Sequence, residues 1–125
     1  MRNVVLDTDV IIDYLRMGFG SLEDLISAAS NREIKLYISS VTLMELFSGD
    51  IKRNQVEVIE YIENKIEIIN LDQELAKYLG HLRKTAKSHI QLADLIIGGS
   101  ACYIGAQIAT RNKKHFAAIS GLKFY

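Results

Sequence analysis

Short apolar runs alternate along the chain with longer stretches in which apolar residues recur at helical spacing. The apolar runs predict strands at residues 4–6, 34–38, 66–70, 107–110 and 123–125, the last as an edge strand. The stretches between them predict helices at residues 10–15, 21–29, 56–62 and 92–103, with two more starting at residue 39 and after residue 72. Strands that alternate with helices imply an α/β fold in which a parallel sheet carries helices on both faces.

Polar residues at the predicted helix starts indicate side-chain caps. Ser21, with Asp24 three residues later, is predicted to cap the second helix, and Asp72 the fifth. Ser88 and Gln91 have capping-box spacing before the last helix.

Length and composition are those of one ordinary globular domain, expected to span residues 1–125. A chain of 125 residues is long enough to bury a core, and 49% hydrophobic with 24% charged residues is typical of folded proteins. A single cysteine excludes an internal disulfide and favours a reducing compartment, so a cytoplasmic location is expected. Cys102 itself is expected to be a small buried residue.

One stretch, residues 90–110, approaches the length of a membrane span and carries a single charge, Asp94. It also contains Gly98, Gly99 and Ser100. A buried helix followed by a short buried strand is therefore predicted, and no membrane partner is expected.

Charge is distributed unevenly although the net charge is zero. Residues 1–75 hold seven Lys and Arg against fourteen Asp and Glu, whereas residues 76–125 hold eight Lys and Arg against one acid. This asymmetry indicates an acidic site beside a basic, phosphate-binding surface, or equally two solvated faces.

Four oxygen-bearing side chains follow the predicted strands or begin the helices beside them. Asp7 follows the first strand, Glu45 lies in the helix after the second, Asp94 is early in the last helix, and Asn112 follows the last core strand. Ligands bind at the carboxyl ends of parallel strands, so these residues are expected to share one edge of the sheet.

Each of these residues also has a structural alternative. Asp7 could be an N-cap, and Thr42 with Glu45 has the spacing of a capping box. Asp94 is harder to explain in this way because its neighbours are apolar, and a charge in such surroundings needs a partner or a cation.

Carboxylate oxygens without a histidine or cysteine cluster suit Mg²⁺ or Mn²⁺ rather than zinc. Carboxylates around Mg²⁺ are the machinery of phosphodiester cleavage. The basic segments at residues 81–89 and 111–115 could hold a phosphate backbone.

At these residues the sequence resembles the PIN-domain nucleases, and most closely the small VapC-type toxins of toxin–antitoxin pairs. The resemblance rests on four segments that span the chain: VVLDTDVIID, SSVTLMEL, IQLADLIIGGSA and IATRNKKHFAAISGLKFY. It implies a Rossmann-like PIN fold, a Mg²⁺- or Mn²⁺-dependent endoribonuclease acting on RNA, a homodimer, and a cognate antitoxin that occludes the site.

The resemblance also implies roles for individual residues. The acidic, catalytic and metal-binding positions of the family fall on Asp7, Glu45 and Asp94. The fourth acidic position falls at or near Asn112, where an amide leaves one fewer charge for a second metal.

Three neighbours of these positions are candidates for supporting contacts. Asp9 occupies a position that is often Asn or Ser in relatives, so it is an auxiliary ligand or a supporting residue. Thr8 and Arg111 are candidates for supporting or phosphate contacts, with simple capping as the alternative.

Two other functions fit parts of the sequence. DTDV also opens the aspartyl-phosphate phosphatases of the haloacid dehalogenase type, but Ile11 stands where that family needs Thr and its later aspartate pair is missing. A PIN-like module that binds RNA or a partner, and has lost its chemistry through Asn112, is the remaining alternative.

Overall fold

The structure is a computed structural model that describes residues 1–125, apart from the side chain of residue 54. The described chain forms a five-stranded parallel sheet in the order β3-β2-β1-β4-β5. The strands are β1 Arg2–Leu6, β2 Ile34–Ser39, β3 Glu67–Ile69, β4 Gln107–Ala109 and β5 Lys123–Phe124. The helices are α1 Thr8–Met17, α2 Ser21–Ser30, α3 Ser40–Ser48, α4 Val56–Lys65, α5 Gln73–Thr85 and α6 Leu92–Ile104. Short 3₁₀ helices span Arg53–Gln55 and Lys113–Phe116.

Helices cover both faces of the sheet, as the sequence predicts. Val4 and Leu6 of β1 point into a core that α1, α2 and α4 close, whereas Val5 between them points into a core closed by α5 and α6. This is the period-two alternation of a strand that is buried on both faces. The expected α/β class is confirmed.

Helix α6 forms the centre of one face. Residues 95–101 of this helix are all buried, and a Cβ at Gly99 would collide with Leu79 of α5. The glycine therefore allows α5 and α6 to approach closely. The prediction that this apolar stretch is core is confirmed, although Cys102 is only half-buried. No helix among the described residues has the length and hydropathy needed to span a bilayer.

Most predicted elements are present, but two predicted caps are wrong. Asp72 does cap α5, with a carboxylate oxygen that accepts from Leu75 N at 2.9 Å. Helix α2 instead starts after Gly20, so Ser21 is its first helical residue. Helix α6 is preceded by Gln91, not Ser88, and no described side chain caps it.

The strand order reverses between β1 and β4. From β1 the chain runs outward through β2 and β3, and it then returns to the other side of β1 for β4 and β5. Such a switch point leaves a crevice at the carboxyl ends of the two central strands. Leu6 pairs with Ala109 there, and Asp7 N donates to Ala109 O at 2.9 Å.

Candidate active site

Asp7 lies at this switch point and has two roles at once. As the N-cap of α1, it accepts from Thr8 N through Oδ1 at 2.8 Å. Its other oxygen, Oδ2, accepts from the hydroxyl of Thr110, just after β4, at 2.8 Å. The capping alternative and the site assignment are therefore compatible, since each uses a different oxygen of a buried carboxylate.

Glu45 is joined to Asp7 through the residue between them. The Thr8 hydroxyl donates to Glu45 Oε1 at 2.7 Å and lies 2.9 Å from the Thr42 hydroxyl. Because Thr8 has one hydroxyl proton and a carboxylate only accepts, Thr42 donates to Thr8. The capping-box alternative for Thr42 and Glu45 is wrong: Ser39 caps α3, accepting from Val41 N at 3.1 Å.

Asp94 occupies the first turn of α6, with its side chain 20% exposed. Its Oδ2 lies 4.0 Å from Nδ1 of His115, which belongs to the 3₁₀ helix after β4. This approach of a half-exposed histidine is the only ion-pair contact of Asp94 among the described residues. The carboxylate thus faces the same loop that holds Thr110.

The loop after β4 is tied to α1 by two carboxylates. Oδ2 of Asp9 accepts from Arg111 N at 3.1 Å and from Asn112 Nδ2 at 3.0 Å, and it lies 3.3 Å from Thr110 Oγ1, whose single proton is donated to Asp7 Oδ2. One turn further along α1, Asp13 forms a two-pronged ion pair with the Arg111 guanidinium, at 2.8 and 3.2 Å. These contacts hold the loop after β4 against α1 at the switch point.

Burial and like charge disfavour ionisation at the centre of this cluster. Burial, together with the charges of Asp9 and Asp94, raises the pKa of Asp7 to about 6, although hydrogen bonds from Thr110 and Thr8 N limit the rise. Burial also raises the pKa of Asp94, with the charges of Glu45 and Asp9 adding to the rise and His115 opposing it. A cation would relieve both effects.

The donor set fits a hard divalent cation. Asp7, Asp9, Glu45 and Asp94 contribute carboxylate oxygens, and Asp9 Oδ1 is buried without a hydrogen-bond partner among the described residues. As the side chains stand, no three acidic, histidine or cysteine groups in the described chain form a closed cation cluster. One oxygen of Glu45 and one of Asp7 are held instead by the hydroxyls of Thr8 and Thr110.

Six of the seven residues expected at the site from the sequence are joined by hydrogen bonds in one network: Asp7, Thr8, Asp9, Glu45, Arg111 and Asn112. The seventh, Asp94, has no hydrogen bond to them and lies beside His115 on the same loop. Three further participants are absent from that expectation, namely Asp13, Thr42 and Thr110, whereas His115 was expected only as part of the basic segment 111–115. Two of them could have been found. Asp13 lies four residues after Asp9 on one face of a helix, and Thr110 directly follows a core strand.

Comparison with known proteins matches both the fold and the sequence. A family profile described as PIN domain matches residues 4–122. The chain is 30% identical to ribonuclease VapC1 of Methanocaldococcus jannaschii over 98% of this chain and 86% of that protein. It is 29% identical to the tRNA(fMet)-specific endonuclease VapC of Shigella flexneri, over 98% and 96% of the two chains.

Solved structures of other proteins have the same fold. A chain of VapBC2 from Rickettsia felis, crystallised with a DNA fragment from their promoter, superposes with a TM-score of 0.81 over 98% of this chain and 97% of that one, at 24% identity. A toxin–antitoxin complex from Klebsiella pneumoniae gives a TM-score of 0.71 over 95% and 94%, at 29% identity.

A parallel sheet with carboxylates gathered at its switch point, and a profile match over nearly the whole chain, define the class of PIN-domain proteins. The chain belongs to the PIN-domain family. The resemblance to VapC-type ribonucleases within that family is confirmed as well.

Proposed function

We propose that this protein is a Mg²⁺- or Mn²⁺-dependent endoribonuclease and the toxin component of a toxin–antitoxin pair. The observation that carries the proposal is the gathering of Asp7, Glu45 and Asp94 at the β1/β4 switch point, from three separate parts of the chain. A single domain spanning residues 1–125 would carry the activity.

Asp7, Glu45 and Asp94 would hold the cation, with Asn112 beside them. A bound Mg²⁺ or Mn²⁺ supplies Lewis-acid chemistry that polarises a phosphodiester and offsets the negative charge developing in the transition state. Thr8 orients Glu45, because its hydroxyl donates to one carboxylate oxygen and is itself fixed by Thr42.

Basic residues next to the site would position the RNA. Lys113 and Lys114 are exposed in the 3₁₀ helix that directly follows Asn112, and the Arg111 side chain is 62% exposed beside Asp13. Cations so close to a carboxylate site favour a substrate that carries its own negative charges, as a nucleic-acid backbone does.

Relatives support the partners in this proposal. The Shigella protein is named as a tRNA-specific endonuclease, and the Klebsiella structure is a toxin–antitoxin complex. We therefore include RNA as substrate and a cognate antitoxin that covers the site. A homodimer and a cytoplasmic setting stay predictions from the family resemblance and the single cysteine. Met44 and Phe47 leave 63% and 56% of their surface exposed on α3, which is consistent with apolar contacts to another chain.

A cleavage assay tests the proposal. Wild-type protein should cut single-stranded RNA internally in Mg²⁺ or Mn²⁺, stop in EDTA, and leave a phosphomonoester untouched. Asp94→Asn should abolish cleavage, whereas Asp24→Asn, an exposed acid on α2, should retain it. Cleavage that persists in EDTA would contradict cation dependence. Folded wild-type protein that binds RNA without cutting it would instead support a non-catalytic binding module.

A further inference from the structure

The two oxygens of Asp9 have opposite surroundings. Oδ2 accepts from two donors on the loop after β4, Arg111 N and Asn112 Nδ2. Oδ1 is fully buried and has no hydrogen-bond partner among the described residues. A buried carboxylate oxygen without a partner is costly, and a cation is one of the few groups that can offset that cost.

Asn112 faces Asp9 through its nitrogen. The Nδ2 group lies 3.0 Å from Asp9 Oδ2, and only the amide nitrogen can donate to a carboxylate. An aspartate at position 112 would replace this hydrogen bond by two carboxylates in contact. The amide at 112 and the acid at 9 are therefore complementary.

The position of Asp9 relative to the other acids supports the same conclusion. The Thr110 hydroxyl lies 2.8 Å from Asp7 Oδ2 and 3.3 Å from Asp9 Oδ2, so the carboxylates of Asp7 and Asp9 lie side by side at the switch point. With Asp9 included, the cluster holds four carboxylates although position 112 is an amide.

We propose that Asp9 supplies the fourth carboxylate of the cation site, and that Asn112 positions it by holding its other oxygen. The fourth negative charge would then stand on the first turn of α1 and not on the loop after β4. This inference rests on the proposed cation-dependent function and adds the residue that completes its ligand set.

Calorimetric titration with Mn²⁺ tests whether the acid at position 9 and the amide at position 112 can exchange places. It does so without measuring cleavage. Asp9→Asn should weaken Mn²⁺ binding at least tenfold, and Asp9→Ser, which keeps a small acceptor, should do the same. Asn112→Asp alone should bind Mn²⁺ at least as tightly as wild type, because it adds a carboxylate whose repulsion from Asp9 the cation relieves. The double variant Asp9→Asn/Asn112→Asp should recover affinity to within about threefold of wild type, since acid and amide are exchanged.

Asp13→Asn is the matched control for an effect that comes only from loosening the loop after β4. It removes the Arg111 ion pair from the same helix but leaves Asp9 in place, so Mn²⁺ affinity should stay within about twofold. Unchanged affinity in both Asp9 variants would overturn the role of Asp9. A double variant that binds Mn²⁺ no better than Asp9→Asn would overturn the exchange with Asn112. If the wild-type protein binds no Mn²⁺, the cation-dependent function itself fails, and this inference with it.

Discussion

At the scale of single residues, the two oxygens of one carboxylate at the site have different hydrogen-bond partners. Asp7 caps α1 with one oxygen and accepts from Thr110 with the other. Glu45 accepts from Thr8. Asp7, Asp9 and Glu45 are thus held in place by hydroxyl and amide donors, several of them from elements far apart in sequence, which fixes their positions before any ligand binds.

Glu45→Gln should separate charge from hydrogen bonding at this site. The glutamine carbonyl can still accept from Thr8, so the free energy of unfolding should stay within about 0.5 kcal/mol of wild type. Nuclease activity should nevertheless fall to a small fraction, because an amide is a much weaker ligand for a hard cation. Urea unfolding and RNA cleavage measure the two effects, with the exposed Glu57→Gln as control. Full activity in Glu45→Gln would remove this residue from the ligand set.

The raised pKa of Asp7 predicts a pH dependence of stability. The pKa of this carboxyl is about 6 in the folded protein, against 3.8 for an unperturbed aspartate, so the folded state binds the proton more tightly than the unfolded chain. The contribution of Asp7 to the free energy of unfolding should therefore fall as the pH rises from about 4 to about 6, by up to roughly 3 kcal/mol, and then level off.

Asp7→Asn isolates this contribution. The asparagine oxygen can keep the cap, and its nitrogen can donate to Thr110. In EDTA, the stability of Asp7→Asn relative to wild type should rise between pH 4 and 7, as measured by urea unfolding. Parallel profiles for the two proteins would show that Asp7 ionises normally.

At the scale of elements, helix caps show what sequence patterns can and cannot predict. Asp72→Ala should cost about 1 kcal/mol, because it removes the acceptor for Leu75 N. Ser21→Ala should change stability by less than about 0.5 kcal/mol, since α2 is preceded by Gly20. Thermal or urea unfolding of the two variants checks the difference. Equal losses would mean that Ser21 caps α2 in solution.

The absence of a side-chain cap on α2 has a local cause in the backbone. Gly20 enters α2 at a φ of 148°, a conformation that favours glycine, so the chain turns one residue earlier than the Ser21–Asp24 spacing suggests. Strands and helices were predictable because hydrophobic periodicity records burial directly. The backbone conformation between elements does not follow from hydrophobic periodicity, so it is harder to predict from the sequence.

The same distinction applies to the site. Its acids could be predicted, because Asp7 and Asp94 stand out against apolar neighbours and strand ends meet at one edge of the sheet. Their partners could not, since the contact between Thr110 and Asp7 joins residues 103 positions apart and depends on β1 and β4 being neighbours. The two short 3₁₀ helices were not predicted either, as neither has a distinct periodicity.

At the scale of the whole molecule, the sheet topology explains the uneven charge of the chain. The first half is acidic and supplies Asp7, Asp9 and Glu45, while the second half is basic and supplies the cations after β4. Pairing of β1 with β4 places the two halves side by side at the switch point. A carboxylate cluster bordered by cations results, which is the arrangement that cation-assisted cleavage of a polyanion requires.

Paired thermal melts of wild type and Asp94→Asn, each in EDTA and in Mg²⁺, test most directly whether this cluster is a cation site. Wild type should gain about 2.7 kcal/mol at a hundredfold excess of Mg²⁺ over its dissociation constant, which amounts to several degrees. Asp94→Asn should melt above wild type in EDTA, because a disfavoured buried charge is gone, and should gain little from Mg²⁺. A variant that melts lower in EDTA, together with a wild type that does not respond to Mg²⁺, would contradict the account.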